Sequence, residues 1–203
     1  LGVVRIAADA SFVMADIPGL IVGAADGAGL GAQFLRHLSR TRVLLHLVDV
    51  APEDGSDPID NALAIESELM HYSEALSERP IWIALSKVDQ LEEQDLDLML
   101  KEFAQMFPDR PLYAVSALAD IGLPALCQNL MLSLREHGQL MAEDPDFADE
   151  QKQLEERISA DVWAHSERMR QRRRGDVTTT LEQADRSDDF DDPDATEVVY
   201  VRD

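Results

Sequence analysis

Ile81-Trp82-Ile83-Ala84-Leu85-Ser86-Lys87-Val88-Asp89 is an apolar run that opens into a short polar loop. The run is short, unbroken and bounded by a polar loop, which is the pattern of a strand buried in a sheet. Two further apolar runs end in the same way. Phe12 to Ala15 leads into Asp16-Ile17-Pro18-Gly19, and Leu112 to Val115 leads into Ser116-Ala117-Leu118. Between these strands lie stretches with helical spacing. Alternating strands and helices argue for an α/β sheet with right-handed crossovers. In open sheets of that kind, ligands gather at the carboxyl ends of the strands, where all three polar motifs lie.

Working outward, residues 2–8 and 12–16 read as a hairpin about Asp9-Ala10. A glycine-rich stretch, Gly23 to Gly31, leads to a short predicted helix carrying Phe34, Leu35 and Leu38. Val43 to Val48 is apolar apart from His46, as suits a strand covered on both faces, and the histidine reads as a core residue. Asp57 then Pro58 is an N-cap followed by proline at the first helical position. The helix behind it places Ala62, Ile65, Leu69, Tyr72 and Leu76 on one stripe. A later helix carries Leu96, Met99, Phe103 and Met106, and another carries Leu123, Leu126, Leu130 and Leu134, with Gly138 as its terminator. Cys127 lies on that apolar stripe and reads as a small core residue.

The three strand-end motifs share one chemistry. Asp89 can accept two hydrogen bonds from guanine, one from the ring N–H and one from the exocyclic amine. Adenine presents no matching pair of donors. Lys87 can lay its aliphatic stem along a purine face. Backbone N–H groups around Ser116 and Ala117 can donate to the guanine oxygen. Asp16 can hold a magnesium ion through a water, since magnesium gives up its hydration shell reluctantly. Gly19 lets backbone approach a terminal phosphate. Each motif alone is an ordinary loop; their joint order at three strand ends points to guanine-nucleotide recognition. Asp16, Ile17, Pro18, Gly19, Ser86, Lys87, Val88, Asp89, Ser116, Ala117 and Leu118 are therefore the candidate binding residues.

The segment from Leu1 to about Leu134 resembles the GTPase domain of the bacterial Obg (CgtA) proteins. The resemblance is carried by Met14-Ala15-Asp16-Ile17-Pro18-Gly19-Leu20-Ile21, by Gly27-Ala28-Gly29-Leu30-Gly31, by Phe34-Leu35-Arg36-His37-Leu38 and by Arg40-Thr41-Arg42-Val43-Leu44-Leu45-His46-Leu47-Val48-Asp49. It implies a Ras-like GTPase domain over residues 1–137, GTP or GDP with Mg2+ as cofactors, slow GTP hydrolysis, and action in the assembly of the large ribosomal subunit. A cytoplasmic monomer with no DNA partner is expected.

The chain departs from that pattern in several places. The phosphate-cradling G-x-x-x-x-G-K-[ST] occurs nowhere in the 203 residues. Leu1 opens inside a strand-like run, so the expectation is the carboxyl-terminal portion of an Obg protein, lacking the first strand and helix of the GTPase domain. Ser86 stands where the family usually has Asn or Thr, a position that normally ties the base loop to the phosphate loop. Leu20 stands where many small GTPases have a water-positioning glutamine. No catalytic residue is identified.

The net charge of −22 is shared along the chain. Residues 1–137 hold 21 acids and 9 bases, and residues 138–203 hold 19 acids and 9 bases. Such a surface repels nucleic acid in general, so a ribosomal contact needs local patches. A single cysteine excludes an internal disulfide, and no run of about 18 apolar residues spans a membrane. Residues 138–203 read as linker (139–155), a possible helix (153–174) and an acidic, disordered tail around Asp188 to Asp192. The possible helix carries Leu154, Ile158, Val162 and His165 and ends in Arg168, Arg170, Arg172, Arg173 and Arg174. Two classes of function follow: a GTPase enzyme, or a non-catalytic GTPase remnant acting through partners.

Overall fold

A computed structural model describes residues 2–16 and 41–184. The expected glycine-rich stretch, the short helix with Phe34, and the acidic tail around Asp188 to Asp192 lie outside the described residues. Two units are separable, residues 1–166 and 167–203.

The fold is mixed α/β with open sheets. In the first unit, β1 (Gly2–Ala7) and β2 (Ala10–Met14) form an antiparallel hairpin, with Val3 opposite Val13 and Val4 opposite Phe12. The turn falls at Ala8-Asp9, one residue earlier than the sequence suggests. A second sheet has β3 (Leu44–Asp49), β4 (Ile81–Ser86) and β5 (Leu112–Ala114), parallel and in the order β3-β4-β5. Parallel strands need crossovers. Here α1 (Pro58–Tyr72) with the short α2 (Glu74–Ser77) joins β3 to β4, and α3 (Glu93–Met106) joins β4 to β5. Two long helices follow, α4 (Leu123–Glu143) and α5 (Pro145–Ala184).

Helices cover both faces of the parallel sheet. On one face, Val48, Ile83 and Leu85 pack with Ala62 of α1 and Phe103 of α3. On the other, Trp82 and Ala84 pack with Leu126 and Leu130 of α4, and Phe12 and Met14 of the hairpin join the same cluster. Strand β4, central in its sheet, has five buried residues in succession, as its unbroken apolar run predicts. Strand β3 departs from that expectation. It is an edge strand among the described residues, and Leu47 is 61% exposed.

Asp57 caps α1 as expected, its Oδ1 accepting from the N–H of Ile59 at 2.7 Å and of Asp60 at 3.3 Å. The stripe running on to Leu76 is not one helix. Ser73 interrupts it and caps α2, with Oγ accepting from the Leu76 N–H at 3.1 Å. In α3 the buried residue is Phe103, while Met106 faces solvent and Phe107, just past the helix, takes the core position. Gly138 does not end α4, which continues to Glu143, and Cys127 is only partly buried.

The stretch 139–155, expected as a linker, is helical: the end of α4 and the start of α5. Leu154, Ile158 and Val162 of α5 pack with Leu44, Leu69, Ala75, Leu76 and Ile81, at the amino ends of β3 and β4. Polar bonds fix the register of this contact. Ser73 Oγ donates to Asp161 Oδ2 at 2.7 Å, and the buried Arg79 donates to Gln151 Oε1 at 2.8 Å. Arg157 makes a two-pronged pair with Glu78 at 2.7 and 2.6 Å. In the second unit, the described residues 167–184 are helical, beyond the expected end at 174.

Candidate functional site

Because β3, β4 and β5 are parallel, their carboxyl ends share one edge, and the loops after them share one rim. Asp49 closes β3, Ser86-Lys87-Val88-Asp89 follows β4, and Ser116-Ala117-Leu118 follows β5.

The loop after β4 is tied down on both sides. Toward β3, the Val50 N–H donates to the Ser86 carbonyl at 3.2 Å, and Ser86 Oγ donates to the Val48 carbonyl at 3.0 Å. The Ser86 hydroxyl is thus engaged within its own sheet. Toward β5, the Val88 N–H donates to the Val115 carbonyl at 3.3 Å, and the Val115 N–H to the Leu85 carbonyl at 2.8 Å. Val88 turns its side chain into the core, which anchors a 3₁₀ turn over Val88–Gln90. Lys87 and Asp89, on either side of that anchor, are exposed. Lys87 has φ 63 and ψ 31, in the left-handed region, where non-glycine residues are uncommon.

The loop after β5 is a tight ring. Ser116 and Ile121 exchange both backbone hydrogen bonds at 3.0 Å, and Ser116 Oγ accepts from the Ala119 N–H at 2.9 Å. Ser116 is buried and engaged in this framework. Of the N–H groups that could face a guanine oxygen, those of Ala117 and Leu118 therefore remain, on exposed residues. Gly122 closes the ring with φ 70; a Cβ there would lie 2.0 Å from the Ala114 carbonyl oxygen.

Asp16, by contrast, follows the hairpin strand β2 and is exposed. Among the described residues no hydrogen bond joins it to either loop, and the two sheets are not paired to each other. Ile17, Pro18 and Gly19 lie outside the described residues. The structure thus brings Ser86–Asp89 together with Ser116–Leu118 and leaves Asp16 apart from that network.

Electrostatics single out one pair that the motif reading did not assign. Lys87 Nζ contacts Asp49 Oδ2 at 2.5 Å, across the β3–β4 step. That hydrogen bond raises the lysine above its ordinary value. Desolvation pushes the Asp49 carboxyl up, but the bonds from Lys87 and the Ala51 N–H together outweigh it and hold it below its ordinary value. The sequence signal for Asp49 was an acid closing an apolar strand, one that the resemblance quoted without giving it a role.

Residues 2–87 match the family model described as 50S ribosome-binding GTPase. This stretch is similar to a GTPase domain at the level of a broad family. The match takes in Asp16, Asp49, Ser86 and Lys87 and stops before Asp89 and the ring at Ser116. Among the described residues, no three His, Cys, Asp or Glu side chains gather to hold a metal ion. No helix among the described residues is long and apolar enough to cross a membrane.

Proposed function

We propose that this chain binds guanine nucleotides as an Obg-type GTPase, hydrolysing GTP slowly and acting on the large ribosomal subunit during its assembly. One observation carries the reading. The bond from the Val88 N–H to the Val115 carbonyl, at 3.3 Å, fastens the loop of Asp89 to the loop of Ala117 at one sheet rim. A carboxylate and two N–H groups without a bond among the described residues, on adjoining loops, make the acceptor-and-donor complement of guanine's edge. Asp89 accepts from the ring N–H and the exocyclic amine, the N–H groups of Ala117 and Leu118 donate to the ring oxygen, and the Lys87 stem covers a purine face. Hydrogen bonds to a charged acceptor are worth about 1.5–3 kcal/mol each, enough to select the base. Magnesium, held by Asp16 through a water, and slow hydrolysis are supported by the Obg resemblance and the GTPase-family match.

The base loops alone support roughly millimolar affinity, about −4 kcal/mol, once ordering costs are met. Ligand-observed NMR with GDP, XDP and ADP at millimolar concentration tests the reading. Asp89→Asn replaces an acceptor by an amide donor, which opposes guanine's exocyclic amine and suits the oxygen of xanthine. The expected result is a preference switched from GDP to XDP; an unchanged preference removes Asp89 from a base site. The second reading is an interaction protein without catalysis. It rests on the arginine cluster Arg168 to Arg174 and the acidic sequence around Asp188 to Asp192 as partner-binding segments, and GTP hydrolysis by this chain would exclude it.

A further inference from the structure

Asp49 stands opposite Ser86 in the β3–β4 register, so its carboxylate is level with the start of the base loop. One oxygen accepts from the Ala51 N–H at 3.0 Å, which orients the carboxylate, and the other holds the Lys87 ammonium at 2.5 Å. Lys87 itself sits at φ 63. A non-glycine residue persists in that region when its surroundings hold it there, and such residues cluster at functional sites. The left-handed turn at Lys87 is what lets the chain bend from β4 into the 3₁₀ turn carrying Asp89, where the Gln90 N–H returns to the Lys87 carbonyl at 3.0 Å.

We infer that Asp49 is a positioning residue of the base site, gripping the Lys87 ammonium from the neighbouring strand so that the lysine stem and Asp89 are held in the geometry that receives a guanine base. The inference rests on the proposed guanine reading. Its physical basis is preorganisation. A free lysine samples many rotamers and must be ordered when it covers a ring; a stem already pinned at its far end loses less on binding. The pair is solvent-exposed, with side chains 46% and 36% accessible, so its contribution is modest and open to screening.

The test is a GDP titration of the 203-residue chain by ligand-observed NMR at low salt. Asp49→Asn should weaken GDP about two- to fivefold, the range an exposed pair supports, and Asp49→Glu should recover most of the loss. In a Lys87→Met background, Asp49→Asn should add nothing, and in high salt the effect should fade. Amide exchange without nucleotide gives a second readout: Asp49→Asn should speed exchange at Gln90 and leave Ile83, in the core strand, unchanged. An unaltered GDP affinity, an equal loss in the Lys87→Met background, or a uniform rise in exchange through the core would each overturn the role of Asp49. Asp89→Asn run in parallel separates the two claims. If it shifts base preference while Asp49→Asn is silent, only the positioning role fails; if it does not, the guanine reading itself fails.

Discussion

His46 lies on the face of β3 that also carries Leu44 and Val48, and its environment keeps it neutral. Burial first, and the positive charge of Arg110 second, bring its pKa from 6.5 down to about 4. An unfolded chain takes up a proton near pH 6.5 that the folded chain refuses until about pH 4. The histidine's contribution is therefore fully present above pH 6.5 and is lost as pH falls toward 4, at most about 3 kcal/mol. Glu66, whose pKa burial raises against the pull of Arg110, acts in the opposite sense. Urea denaturation at pH 7.5 and 5.0 should accordingly show a smaller loss of stability for His46→Gln than for the unaltered chain; equal losses would mean that His46 is not the titrating group. The sequence reading of this residue as core holds only in part, since His46 is half-buried on its edge strand. Gly122 was less legible. Its requirement comes from the carbonyl of Ala114 at the end of β5, and no local pattern announces that. Gly122→Ala should cost about 2–4 kcal/mol, through positive φ and the collision with Ala114, measured as a fall in urea midpoint.

At the scale of elements, the strands were legible and the carboxyl-terminal helices were only partly so. An unbroken apolar run has one economical explanation, and β4 obeys it. Residues 139–155 looked polar and broken by Pro145, yet Asp144-Pro145 repeats the device recognised at Asp57-Pro58. Asp144 Oδ1 accepts from the N–H of Asp146 at 3.0 Å and of Phe147 at 3.1 Å, so the proline starts a helix instead of ending one. Gly138 misled in the same way: a glycine is tolerated inside a helix at a modest cost, and here a Cβ would meet open space. What fixes α5 is tertiary, the insertion of Leu154, Ile158 and Val162 beneath β3 and β4. Ile158 is fully buried, so Ile158→Ala should destabilise the first unit by about 2–4 kcal/mol. A change under 1 kcal/mol in chemical denaturation would show that this helix is not part of the core. The candidate site was legible as types of residue at strand ends; the Asp49–Lys87 pair was not, because it depends on which two strands are neighbours.

For the whole molecule, charge and open edges set the behaviour. With 40 acids against 18 bases, the surface is strongly acidic. The hairpin and the parallel sheet share a core over α4 without pairing to each other, and Val3 and Val13 are 70% and 66% exposed. Deleting residues 176–203 should leave the melting temperature of the first unit within about 2 °C, since a sequence so charged offers little apolar surface to bury. A larger fall would mean that the segment packs. The cluster joining Leu44 to Ile158 bears on time as well as on strength. These partners are more than a hundred residues apart in the chain, and contacts of such separation close late because loop entropy must be met first. During synthesis β3 and β4 are complete long before α5 exists. The cluster of Leu44, Leu76 and Ile81 must therefore wait uncovered while the candidate-site rim at the opposite end of the strands can already close.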